Sequence, residues 1–334
     1  MYSISRVCDT SGNLIFGISG SAAANNPMSA LNIATFDDSN VSSSCWANLE
    51  EDSLHYLAGF SAIKEMLVLS DMIFYDEFIH ASIRDGIGMS HAKSYKFKHN
   101  NLLDLRQKIE KIQQLNTADQ EIYVVTESVF SMDGNSPDLN KLTEICENFE
   151  VYLIVDEAHA LGVFGENGKG LLHELQLEQK VFARIYTFGK ALGCHGAVIL
   201  GSELLKSFLV NFARSLIYTT GLSPHAVATI KTAYDALTKT NEIQRLRKNI
   251  HTFKKATTSL NFIEGNGAIY CYILSGEETV IQTAKALQTA GFDVKPILSP
   301  TVPAGKERLR FCLHSYNTET EILNVINTLK QLIS

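Results

Sequence analysis

Between residues 72 and 201, short apolar runs rich in β-branched residues alternate with stretches of helical period. MIFYD (72–76), EIYVVTE (121–127), VYLIVDE (151–157), ARIYTFG (183–189) and AVILG (197–201) are largely apolar along their length, the mark of strands buried on both faces. Between them, Leu102, Leu105, Ile109 and Ile112 recur at helical spacing, and Leu139–Phe149 reads as a second helix. Strand, helix, strand in that order predicts βαβ units and an α/β fold with a mostly parallel sheet. The last hundred residues change character. Helical patterns surround Tyr234–Leu260 and Glu278–Ala290, the latter closed by Gly291, and strands are expected at Ile269–Leu274 and Leu309–His314. Thr318-Glu319-Thr320-Glu321 is a capping box for a terminal helix with Ile322, Val325, Ile326, Leu329 and Leu332 on one face. The expected organisation is an N-terminal segment (1–40) with one short strand at Asn13–Ile18, a large domain (41–225) and a small α+β domain (226–334).

Charge and composition narrow the function. The 334 residues carry 29 Lys+Arg against 36 Asp+Glu, a net −7, and no basic stripe, which argues against a nucleic-acid partner. No apolar run approaches the roughly 18–20 residues of a membrane span. The N-terminus shows no basic region followed by an apolar block, so no signal peptide is expected. Six cysteines, widely spaced and without a CxxC pair, read as reduced cytoplasmic thiols rather than a disulfide frame or a metal site.

Seven of the 21 glycines (162, 165, 168, 170, 189, 193 and 196) fall within 35 residues. Such clustering marks either a loop-rich region or turns that let backbone approach something closely. There, one buried strand delivers Asp156 with His159 three residues on, and the next delivers Thr187, Gly189 and Lys190. Ligands of open α/β sheets bind at the carboxyl ends of strands, and a buried Asp is costly unless it meets a cation. The string Asp156-Glu157-Ala158-His159 also occurs in nucleotide-driven helicases, but that reading needs an upstream GxxxxGK[ST] loop, and the sequence has none.

Asp156 and His159, followed by Lys190 in T-F-G-K-A-L-G, resemble the α-oxoamine synthase group of pyridoxal-phosphate (PLP) enzymes, which have the aspartate-aminotransferase type of fold. The resemblance covers about residues 70–330 and runs through DEFIHASIRDG (76–86), FKHNNLLDL (97–105), TESVFSMDGNSPDL (126–139) and SPTVPAGKERLRFCL (299–313). It implies that Lys190 forms the Schiff base with PLP, that Asp156 pairs with the ring nitrogen and that His159 bonds the 3′-oxygen. His80 is expected to stack on the ring and to stand near the acyl thioester. The backbone at Gly59 and Phe60, the hydroxyls of Ser131 and Thr187, and Thr219 and Thr220 from a partner subunit are expected at the phosphate. Glu127 belongs either to the same site or to a strand-end surface. Arg310 is expected on the amino-acid carboxylate, its alternative being an edge-strand charge, and Thr301 lines the acyl side. The implied activity is decarboxylative condensation of L-alanine with pimeloyl-CoA or a pimeloyl-acyl-carrier protein, by a homodimer. Glycine with a short thioester, a longer acyl chain, or a PLP-binding relative without turnover are the alternatives. The sequence departs from the family near its start. Ile18–Ala24 stands where the family has S-N-D-Y-L-G-L, Val41–Glu50 is a reduced version of a Gly/Ser-rich stretch, Leu298 replaces a frequent arginine, and the leading helix is expected to be absent.

Overall fold

The computed structural model of the chain describes residues 6–8, 14–16, 72–115, 121–218 and 221–333. The elements in chain order are strands β1 (Arg6–Cys8), β2 (Leu14–Phe16) and β3 (Met72–Asp76), helix α1 (Ala81–Met89), β4 (Lys93–Phe97), α2 (Leu102–Gln113), β5 (Ile122–Glu127), α3 (Leu139–Asn148) and β6 (Tyr152–Asp156). Then come the single turn α4 (Leu171–Glu174), β7 (Ala183–Thr187), β8 (Ala197–Gly201), α5 (Glu203–Phe212), α6 (Arg214–Ile217), α7 (Pro224–Leu237) and α8 (Glu242–Ala256). The chain ends with β9 (Ile269–Ile273), α9 (Glu277–Thr289), β10 (Lys295–Ile297), β11 (Arg308–Cys312) and α10 (Glu319–Ile333). Two compact units result. One holds residues up to Ser128 and Pro137–Thr240; the other holds Val129–Ser136 and Asn241–Ser334. Helix α7 goes with the first unit, which reaches Thr240.

The first unit is built on a six-stranded sheet ordered β4-β3-β5-β6-β7-β8, parallel throughout except for the antiparallel pair β7/β8. It is an α/β fold. Strands β5, β6 and β7 are apolar because helices need both faces, and Val124, Val125, Ile154 and Ile185 are fully buried. Strand β4 is the exception: four of its five residues are exposed, including Lys93 and Lys96, as suits a sheet edge that must not pair further. Helix α2 starts where Asn101 accepts from the Asp104 N–H at 2.9 Å.

The second unit pairs β10-β11-β9 into an antiparallel sheet with α8, α9 and α10. Phe253 of α8 meets Phe262, Tyr270 and Phe311 with ring centroids 4.7–5.9 Å apart. Asn249 donates to the carbonyls of His314 (2.9 Å) and Asn317 (2.8 Å), tying α8 to the turn after β11. The capping box at α10 forms reciprocally: the Thr318 N–H donates to Glu321 Oε2 at 2.7 Å, and the Glu321 N–H to Thr318 Oγ1 at 3.2 Å. The helical pattern around Tyr234–Leu260 resolves into two helices, α7 and α8, broken across Thr238–Asn241. Among the described residues no helix is long and apolar enough to cross a membrane, and no His/Cys/Asp/Glu group could hold a metal ion.

Candidate active site

Parallel strands bring their carboxyl ends to one edge of a sheet. In the first unit that edge carries four polar side chains in a row. Asp76 closes β3, Glu127 closes β5, Asp156 closes β6 and Thr187 closes β7, and none is more than 2% exposed. Glu127 and Asp156 are register partners. Burying such groups is costly unless donors meet them, so their partners define what the site can do.

Asp156 accepts from the Ala158 N–H at 2.8 Å through Oδ1. This local bond starts a turn, continued by Ala160 N–H on the Glu157 carbonyl at 2.9 Å, which carries His159 back over the strand end. Lys190 comes from the other side. It stands in the loop between antiparallel β7 and β8, closed at its base by Phe188 N–H on the Gly196 carbonyl (2.8 Å) and by Gly193 N–H on the Lys190 carbonyl (3.1 Å). Lys190 Nζ and His159 Nε2 lie 2.7 Å apart. The glycine cluster earns its place here. Gly162 has φ +76°, and a Cβ on it would lie 2.4 Å from the Ala191 Cβ, so the glycine loop packs directly on the residue after the lysine.

His80 caps α1. Its Nδ1 accepts from the Ser82 N–H at 3.2 Å, which leaves the ring proton on Nε2. The His80 backbone N–H donates to the Glu127 carboxyl. Glu127 is buried, not a surface carboxylate. Burial first, then the Asp156 charge beside it, hold its carboxyl well above the usual carboxylate range. Glu127 Oε1 and Thr187 Oγ1 are buried without a hydrogen-bond partner.

Asp76 lies on the same edge, and sequence reasoning passed over it. Its Oδ1 accepts from the Phe78 N–H (2.9 Å) and lies 2.9 Å from His99 Nδ1, and its Oδ2 accepts from the Asn100 N–H (2.8 Å). The Phe78 and His99 rings stack at 4.6 Å. The signal was present, since both residues lie in the family-like segments 76–86 and 97–105, but 23 residues separate them.

The remaining expected residues divide in two. Ser131, Thr301 and Arg310 belong to the second unit. Arg310 lies on β11, the central strand of its sheet, not on an edge, and its Nε donates to the Ser131 carbonyl at 2.9 Å. Arg308, two residues earlier, is buried against Asp133 and the Met132 carbonyl. Gly59, Phe60, Thr219 and Thr220 lie outside the described residues.

Residues 47–329 match the Aminotransferase class I and II family. The chain belongs to that family. A curated relative, 8-amino-7-oxononanoate synthase of Emericella nidulans, is 39% identical over 283 residues, covering 78% of this chain and 67% of the relative. The solved 8-amino-7-oxononanoate synthase of Francisella tularensis is 30% identical with a TM-score of 0.72, covering 83% of this chain and 80% of that one. A serine palmitoyltransferase variant from S. paucimobilis, solved with a bound PLP–myriocin aldimine, is 26% identical with a TM-score of 0.75, covering 82% and 70%. Within the aminotransferase family the chain is a PLP-dependent enzyme of α-oxoamine synthase type. The residues fit the cofactor: an amine at Lys190, an imidazole at His159 in contact with it, a buried carboxylate at Asp156, and two buried oxygens, on Glu127 and Thr187, that the protein itself leaves unmet.

Proposed function

We propose that the enzyme condenses L-alanine with a pimeloyl thioester, carried by coenzyme A or an acyl-carrier protein, to give 8-amino-7-oxononanoate, carbon dioxide and the free carrier, a step of biotin synthesis. The observation that carries this reading is the Lys190–His159 contact beside buried Asp156 in a chain whose curated relatives bear that name. Bound PLP supplies an aldehyde that condenses with amines and a protonated ring that draws electrons from the carbon beside the nitrogen.

The chain's own residues then have distinct tasks. Lys190 holds PLP covalently and moves the α-proton of the amino acid. That role needs the amine neutral for part of the cycle, although a free lysine has a pKa of roughly 10.4. Asp156 stays anionic and holds the proton of the ring nitrogen. His159, its Nε2 2.7 Å from Lys190 Nζ, would bond the ring's 3′-oxygen. His80, its Nε2–H fixed by the cap on Ser82, would cover the ring face and meet the thioester carbonyl. Arg310 grips the amino-acid carboxylate, and Thr301 lines the acyl side. Ser131, Thr187, the Gly59–Phe60 backbone and Thr219 and Thr220 of a partner subunit hold the phosphate. The same chemistry with another amino acid or acyl chain is the second reading, supported by the serine palmitoyltransferase likeness.

The test is product mass after incubating the loaded enzyme with alanine, glycine or serine against pimeloyl, acetyl and palmitoyl thioesters. The expected result is the mass of 8-amino-7-oxononanoate from alanine and pimeloyl thioester, well above every other pair. Preferred turnover of serine with palmitoyl-CoA, or of glycine with acetyl-CoA, would replace the named substrates. Bound PLP with no release of coenzyme A from any pair would identify a relative without turnover.

A further inference from the structure

Three carboxyls stand on adjacent strand ends: Asp76 on β3, Glu127 on β5 and Asp156 on β6. Neighbouring strands are about 4.8 Å apart, so three full charges there would repel strongly with little water to screen them. The donors decide which group gives up its charge. Asp76 has two backbone N–H groups and His99 around its two oxygens. Asp156 has the Ala158 N–H on Oδ1. Glu127, in the middle, receives the His80 N–H on one oxygen and nothing on the other.

We propose that Glu127 is held as the neutral acid and acts as a hydrogen-bond donor in the site, through a carboxyl group whose second oxygen has no protein partner. The proposal rests on the reading of this cluster as the active site. The groups acting on Glu127 are Asp156 from β6, Asp76 from β3, Lys190 from the β7–β8 loop and the His80 N–H from the turn before α1. The lysine and the N–H favour the anion; burial and the two aspartates oppose it and prevail. An ionised carboxylate could only accept here, whereas the acid can donate its O–H to a carbonyl oxygen or an oxyanion of a ligand. One carboxyl kept charged for the ring nitrogen and its neighbour kept neutral as a donor is the pattern by which one site runs both kinds of chemistry.

The test is infrared difference spectroscopy, wild type minus Glu127→Gln, on the full chain with no PLP added, in H2O and D2O at about pH 8.5. The expected result is a carboxylic-acid carbonyl band in the wild type, shifted in D2O and lost in Glu127→Gln. Glu157, which burial pushes up to about 7, is ionised at that pH and does not contribute. Loss of an ionised-carboxylate band instead would overturn the proposal. Should Glu127→Gln fail to fold, Asp76→Asn reads the same band: its titration midpoint is expected to fall, and an unmoved midpoint counts against it. The donor role is read on PLP-loaded protein. Glu127→Leu is expected to shift the visible absorption maximum further than Glu127→Gln, whose amide still donates; equal shifts overturn it. Wild type that takes up no PLP, with the band intact, would instead overturn the site reading and the donor role, leaving the neutral acid established.

Discussion

At the scale of single residues, the charge of a buried acid is set by its donors working against its burial. Glu157 shows the same rule outside the site. It is fully buried, its Oε1 accepts from the Leu171 (2.7 Å) and Leu172 (3.0 Å) N–H groups, and Oε2 meets the Tyr186 hydroxyl at 3.3 Å. Burial nonetheless pushes it up to about 7, with the backbone donors and Arg184 only partly opposing. Its folded pKa lies above the ordinary 4.5, so the folded state holds this proton more tightly. That contribution is complete below pH 4.5 and is lost as pH rises through about 7, a change on the order of 3 kcal/mol. Glu157→Gln is therefore expected to flatten the fall in unfolding free energy between pH 5 and 8, measured by urea titration; an unchanged slope would mean that Glu157 is already ionised at pH 5. Asp156, His159 and Lys190 were legible in the sequence because strand-end position and motif spacing point the same way. The burial of Glu127 and the Asp76–His99 pair were not, because both depend on which strands become neighbours.

At the scale of elements, the buried strands were legible almost to the residue, since a strand covered on both faces must be apolar throughout. Elements that break their own pattern were missed. Helix α1 contains Gly86 and Gly88, which lower helix propensity, and β4 is a mostly exposed edge strand whose KSYKF carries no apolar run. The glycine loop tests how elements position the lysine. Gly162→Ala combines a left-handed φ with a Cβ 2.4 Å from Ala191, a cost of roughly 1–3 kcal/mol that must push the Lys190 loop aside. PLP dissociation, followed by visible absorbance, is expected to speed up at least tenfold. Gly291→Ala is the control: φ is +92°, but nothing lies within 4 Å of its Cβ, so a similar backbone cost should leave PLP retention unchanged. Equal retention in both variants would contradict the role given to the glycine loop.

At the scale of the whole molecule, two units share the expected residues: the first has Lys190, His159, Asp156, Glu127, Thr187 and His80, the second Ser131, Thr301 and Arg310. The α/β class and the smaller α+β unit were legible from the change in pattern along the chain. The division itself was not, because Val129–Ser136 goes with a unit whose other residues begin more than a hundred positions later. Thr219 and Thr220, read as reaching a partner's phosphate, make the proposed homodimer testable. Sedimentation with PLP bound should show a dimer, and dilution below its dissociation constant should release cofactor; a fully active monomer would refute the shared site. The central claim is tested most directly by reducing the PLP-loaded protein with borohydride and mapping the product by peptide mass. The phosphopyridoxyl group is expected on the peptide containing Lys190 and nowhere else in wild type, and on no peptide in Lys190→Ala. Label on another lysine, or undiminished label in Lys190→Ala, would contradict it.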